Sequence, residues 1–115
     1  MDMDVKVGDA LAGYRATLRT RSERDARLLA ARRERALTLA RAMATLLTVD
    51  FGATRVVLFG SLAHGRWFST ASDIDLAVWG LGADAHLLAL ARIEGLAAGF
   101  RVDVLRAERC PARLL

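Results

Sequence analysis

Val56–Trp79 reads VVLFGSLAHGRWFSTASDIDLAVW, two apolar runs joined by a polar connection from Leu62 to Asp73. The first run, Arg55 to Phe59, is apolar and β-branched and stops at a glycine. It is too short for a stable helix, so it predicts a buried strand. Gly60-Ser61 then turns the chain. With no Cβ at Gly60, a ligand phosphate can approach the backbone closely. Ser61 is placed to N-cap a short helix over Leu62-Ala63-His64, whose free N–H groups and partial positive charge suit an anion.

The second run, Asp73 to Trp79, alternates. Side chains on a strand point to opposite faces with period two. Ile74, Leu76 and Val78 therefore share one face, and Asp73 and Asp75 share the other. Two residues along a strand span roughly 6.5–7 Å, so both carboxylates can converge on one cation cluster. A third lies downstream in Arg101-Val102-Asp103-Val104-Leu105, where Val102 and Val104 face one way and Asp103 the other. If that strand lies beside the second, three carboxylates meet on one sheet face. Like charges so close repel unless a divalent metal neutralises them. Oxygen-only ligands with positions to spare suit Mg²⁺ carrying a nucleotide's phosphates. A Gly-Ser pair after a strand is common, and one strand aspartate is usually just solvated. Three aspartates on one face of apolar strands are harder to read that way.

Gly60-Ser61, then Ser72-Asp73-Ile74-Asp75-Leu76, then Asp103 in a later strand resemble the minimal nucleotidyltransferases of the DNA polymerase β-like superfamily. The resemblance covers about half the chain, residues 56–105. Eleven residues separate Ser61 from Asp73, one more than in the family's usual form, and loops take single insertions easily. The resemblance implies two-metal nucleotidyl transfer. Asp73, Asp75 and Asp103 would hold two Mg²⁺ ions, Gly60 and Ser61 would grip the triphosphate of ATP, and Asp103 would help the acceptor hydroxyl lose its proton. Ser72 would orient the loop. Arg66, in the same loop, is a candidate contact for the triphosphate, although loop arginines are usually solvated.

With 115 residues read as one domain, the acceptor is expected to arrive on a partner. Stand-alone minimal nucleotidyltransferases resemble the antitoxin half of toxin–antitoxin pairs whose toxin is a HEPN ribonuclease. By that analogy the chain AMPylates a tyrosine of a HEPN-type partner. Two alternatives stand beside it: a nucleotide-binding antitoxin that acts by contact alone, and a transferase to a small acceptor such as an aminoglycoside.

The expected fold is α/β of the α+β type, a small mixed three-stranded sheet with flanking helices and a long N-terminal helix. Within one domain overall, residues 1–52 form a basic helical segment and residues 53–115 the catalytic core. From about Asp9 to Asp50, Ala, Leu, Arg and Glu predict helix. Asp9 is a candidate cap, and Ser22 with Asp25 marks a candidate break near Thr20. Ala36, Ala40, Met43 and Leu47 repeat at helical spacing and should pack on the sheet. Gly52 is a candidate helix stop. The front half carries only Leu11, Tyr14 and Leu18 as an apolar stripe. It therefore folds back, projects, or packs on another chain, whether a partner or a second copy.

Residues 83–98 predict a helix with Gly99 to end it, and Phe100 to Leu105 the third strand. A strand–helix–strand crossover makes the second and third strands parallel. The first two should run antiparallel, because Ser61 and Asp73 must reach one nucleotide. Pro111 is a candidate start for a last helical turn. His64 and His86 lack partners at metal-ligand spacing. Trp67 and Phe68 can wall the site or pack under the loop. Trp79 lies on the Asp face.

Charge is unevenly placed. Nine arginines against Glu23, Asp25 and Glu34 give residues 15–41 a net +6, while the whole chain is +4. No aromatic residues interleave with these arginines, which argues against a platform for single-stranded nucleic acid. A solvated helix face or a protein contact through Leu11, Tyr14 and Leu18 fits better. Cys110 is the only cysteine, which excludes an internal disulfide and a Cys-rich zinc site. No apolar run reaches membrane-spanning length. The acidic start lacks the apolar region of a signal peptide, so a cytoplasmic protein is expected.

Overall fold

A computed structural model describes the backbone of residues 3–111 and the side chains of residues 10–111. The chain forms two compact units, Met1–Ala31 and Arg32–Leu115. Helix α1, Met3–Thr45, runs through both. In the first unit, side chains 10–28 are all exposed. The candidate break near Thr20 does not form. Thr17 and Thr20 instead donate to the carbonyls of Gly13 and Ala16, each at 3.0 Å, which keeps their hydroxyls inside the helix. Asp9 lies within α1 and does not start it.

In the second unit, α1 widens into a π-turn over Leu46–Asp50. The helix then ends at Phe51, and Gly52, with φ +76°, reverses the chain as its sequence position suggested. Three strands follow: β1 (Arg55–Phe59), β2 (Ile74–Trp79) and β3 (Val102–Arg106). A single turn, α2 (Gly60–His64), follows β1, and α3 (Ala83–Leu96) joins β2 to β3. A 3₁₀ turn at Ala107–Arg109 precedes Pro111. The helical turn expected from Pro111 lies outside the described residues.

The sheet has the order β1-β2-β3. β1 and β2 are antiparallel, and β2 and β3 are parallel. Each pairing follows from its connection. A 14-residue helix gives the crossover that parallel strands need, while the β1–β2 connection lets the chain reverse. Helix α3 stops at Leu96, two residues short of expectation, because Ala98 (φ +49°) and Gly99 (φ +87°) are both left-handed.

One face of the sheet is the core face. Ile74, Leu76 and Val78 are buried with Ala36, Ala40 and Met43 of α1, Leu47 of the π-turn, Ala89 and Ile93 of α3, and Val104. Val56 and Leu58, in register with Val78 and Leu76, pack against the same cluster. The apolar periodicity of residues 36–47 thus covers the sheet. Helix and sheet residues form one cluster, whose burial removes apolar surface from water.

Arginines serve this unit as packing groups. Arg32 lies over the Phe100 ring at 4.2 Å, and Arg55 over Trp79 at 4.8 Å. Guanidinium groups stack well on aromatic faces. The Arg92–Asp50 ion pair at 3.2 Å is solvent-exposed, and such pairs contribute little. Among the described residues, no helix is long and apolar enough to cross a membrane.

Candidate active site

The opposite face of the sheet carries the acidic residues. Phe59, Asp75 and Asp103 stand side by side in register across the three strands. Because β1 runs against β2, its last residue sits beside the start of β2. The Gly60-Ser61 turn therefore arrives next to the carboxylates. Because β3 runs with β2, Asp103 sits opposite Asp75 and projects from the same face.

Asp73, Asp75 and Asp103 each offer a carboxylate oxygen, and the three oxygens all lie within 4.8 Å of one another. Asp73 and Asp75 are half-buried and Asp103 is exposed. Burial pushes the Asp75 carboxyl above its ordinary value. The charge of Asp103, then that of Asp73, and contact with the Asp103 side chain push it the same way. Asp75 is thus reluctant to carry its charge without a counter-ion. A hard divalent cation resolves this: the donors are all oxygen, their number leaves positions for phosphate and water, and the spacing lets one ion touch more than one of them. The donor set fits Mg²⁺ and lacks the nitrogen and sulfur ligands of a zinc site.

Gly60 is forced by two constraints at once. Its φ is +77°, and a Cβ there would fall on Oδ2 of Asp75. Only glycine permits both the turn and the close approach of the carboxylate. Ser61 does not cap α2; no side-chain cap bond forms at that helix start. Its hydroxyl donates instead to Oγ of Ser72 at 2.9 Å. Ser72 Oγ also accepts from Ser69 N–H at 2.9 Å. Ser72 therefore ties the loop ahead of Asp73 to the Gly-Ser turn.

Arg66 is exposed, and its backbone N–H donates to Nδ1 of His64 at 2.9 Å. His64 thus shapes the loop. Trp67 is 84% exposed with φ +54°, whereas Phe68 packs against the core. Phe68 thus takes the packing alternative. His86 serves the fold: its Nε2 donates to the Val104 carbonyl at 2.7 Å. That bond ties α3 to β3, and no motif in the sequence announced it.

The family model for the nucleotidyltransferase domain matches residues 39–107. A solved structure of a presumed minimal nucleotidyltransferase is 35% identical in sequence over 78% of this chain and 85% of that one, with a TM-score of 0.48. The curated proteins give no match. The matched span contains the Gly-Ser turn and all three aspartates.

Proposed function

The chain belongs to the nucleotidyltransferase domain family, and from that premise we propose that it transfers AMP from ATP to a tyrosine hydroxyl of a HEPN-type toxin, acting as the antitoxin. The observation that carries the transfer reading is the meeting of Asp73, Asp75 and Asp103 beside the Gly60-Ser61 turn. A divalent ion held by these carboxylates supplies charge neutralisation on the phosphates and a lower barrier to ionising the acceptor hydroxyl.

The chain's own groups do the rest. Gly60 and Ser61 open α2, where backbone N–H groups lack helical partners and can receive the triphosphate. Ser72 holds Ser61 in place. Asp73 and Asp75 would hold the cation to which the donor's phosphates bind. Asp103, the exposed member of the cluster, faces the side from which an acceptor arrives and takes the hydroxyl's proton. The hydroxyl oxygen then bonds the α-phosphorus, the bond to the β-phosphate oxygen breaks, and pyrophosphate leaves. Alignment of the reacting groups carries much of the acceleration in such a reaction.

The HEPN-type partner is the family analogy carried onto this chain, since fold alone does not name an acceptor. A protein partner is supported by Leu11, Tyr14 and Leu18, which are 49%, 63% and 44% exposed on a basic helix. The same residues favour a second reading, neutralisation of the partner by contact alone. Incubation with α-labelled ATP, Mg²⁺ and the product of the neighbouring gene separates the two. Label on the partner protein is the expected result. A stable complex without label supports contact alone, and label only on an added small acceptor defeats both.

A further inference from the structure

The Gly60-Ser61 turn is held from behind as well as from the front. Arg33, a half-buried residue of α1 within the second unit, donates from Nη2 to the Leu62 carbonyl at 2.9 Å, across 29 positions of sequence. Its guanidinium also lies against Gly65. A Cβ at Gly65 would sit 3.4 Å from both Cζ and Nη2 of Arg33. Gly65, with φ +75°, closes α2 by donating its N–H to the Ser61 carbonyl at 2.8 Å.

We infer that Arg33 is a positioning residue for nucleotide binding: it clamps the C-terminal end of α2 so that Gly60 and Ser61 stay aimed at the phosphates. This rests on the nucleotidyl-transfer reading of the site.

Three observations carry it. First, α2 is one turn of five residues, about 7.5 Å long at 1.5 Å per residue, so displacing one end displaces the other. Second, the last carbonyls of a helix lack helical partners, and α2 has no following turn to supply one to Leu62. A cation there also opposes the negative end of the helix dipole. Third, Arg33 Nε is buried without a hydrogen-bond partner among the described residues. An apolar side chain would fill the same space without that cost, so the guanidinium is better explained by what it holds than by packing. Ser72 fixes the opposite end through Ser61. The turn is thereby pinned at both ends, and neither pin belongs to the acidic cluster.

The test compares Arg33→Met, Arg33→Lys and Gly65→Ala with wild type. Three quantities are read: ATP affinity with Mg²⁺, Mn²⁺ affinity without nucleotide, and hydrogen exchange of the amides at 61–65. Arg33→Met should weaken ATP binding about tenfold, the order of one charge-assisted hydrogen bond, and should speed exchange across α2. Mn²⁺ affinity should be unchanged, because the aspartates are untouched. Arg33→Lys keeps a cationic donor and should restore most of the ATP affinity. Gly65→Ala, strained at a positive φ and pressed against the guanidinium, should resemble Arg33→Met. ATP affinity equal to wild type in folded Arg33→Met overturns the inference, as does a parallel loss of Mn²⁺ affinity, which marks general structural damage. If wild type binds Mn²⁺ but no ATP, the nucleotide reading of the site falls and takes this inference with it.

Discussion

Gly60→Ala isolates the contact on which the site's geometry depends. Two penalties are combined there. A left-handed conformation costs an L-residue about 1–2 kcal/mol, and the new methyl would clash with Oδ2 of Asp75. Gly52 separates the two terms, because its φ is +76° and a Cβ there meets nothing within 4 Å. Gly52→Ala should therefore carry only the backbone term, a fall in Tm of about 3–10 °C for a chain of this size. Gly60→Ala should lose at least that much. In addition, Asp75 must swing away from a cluster whose oxygens lie within 4.8 Å of one another. A displacement near 1 Å at a reacting centre can cost on the order of 100-fold in rate. Melting curves of both variants, with Mg²⁺ titration and the labelled-ATP assay, read the two terms separately. If Gly60→Ala matches Gly52→Ala in stability and wild type in metal affinity, the carboxylate does not occupy the place assigned to it.

Other predictions concern charge and core. The Asp75 carboxyl is held above its ordinary value in the folded chain, so the folded state binds that proton more tightly than the unfolded state does. Its contribution to stability is full below the unfolded carboxyl pKa and is lost as pH rises through the raised folded value. Metal-free protein should therefore lose stability over that window on going from acid towards neutral pH. Asp75→Asn should flatten the loss in urea titrations while abolishing transfer, and added Mg²⁺ should offset it only when Asp75 is present. Ile74→Ala removes a fully buried side chain from the centre of the sheet and should cost about 2–5 kcal/mol by chemical denaturation. Asp50→Asn breaks only the exposed pair with Arg92 and should change stability by less than about 0.5 kcal/mol.

The strands were legible because their signals are local. The run 55–59 is apolar and bounded by glycine, and alternation in 73–79 sorts Ile74, Leu76 and Val78 from the aspartates. The parallel β2–β3 pairing followed from the helical crossover, and the antiparallel β1–β2 pairing from the need of Ser61 and Asp73 to reach one nucleotide; Asp103 then stands in register with Asp75. Contacts between distant segments were not legible. Ser61 looks like a cap in sequence, yet its hydroxyl goes to Ser72, eleven residues on, because the loop folds back over the turn. Arg33 sits in a run of arginines that composition treats as solvated, while one of them reaches the Leu62 carbonyl. His86 has no ligand partner by spacing, since its partner is a main-chain carbonyl on β3. Side chains that bond to backbone leave no residue-type signature at the other end.

The most direct measurement is calorimetric titration of ATP into wild type and into folded Asp73→Asn/Asp75→Asn, each with and without Mg²⁺. Nucleotide binding that needs Mg²⁺ in the wild type and disappears in the double variant is the predicted result. Equal, metal-independent binding by both proteins would contradict the assignment of Asp73 and Asp75 to the nucleotide's metal.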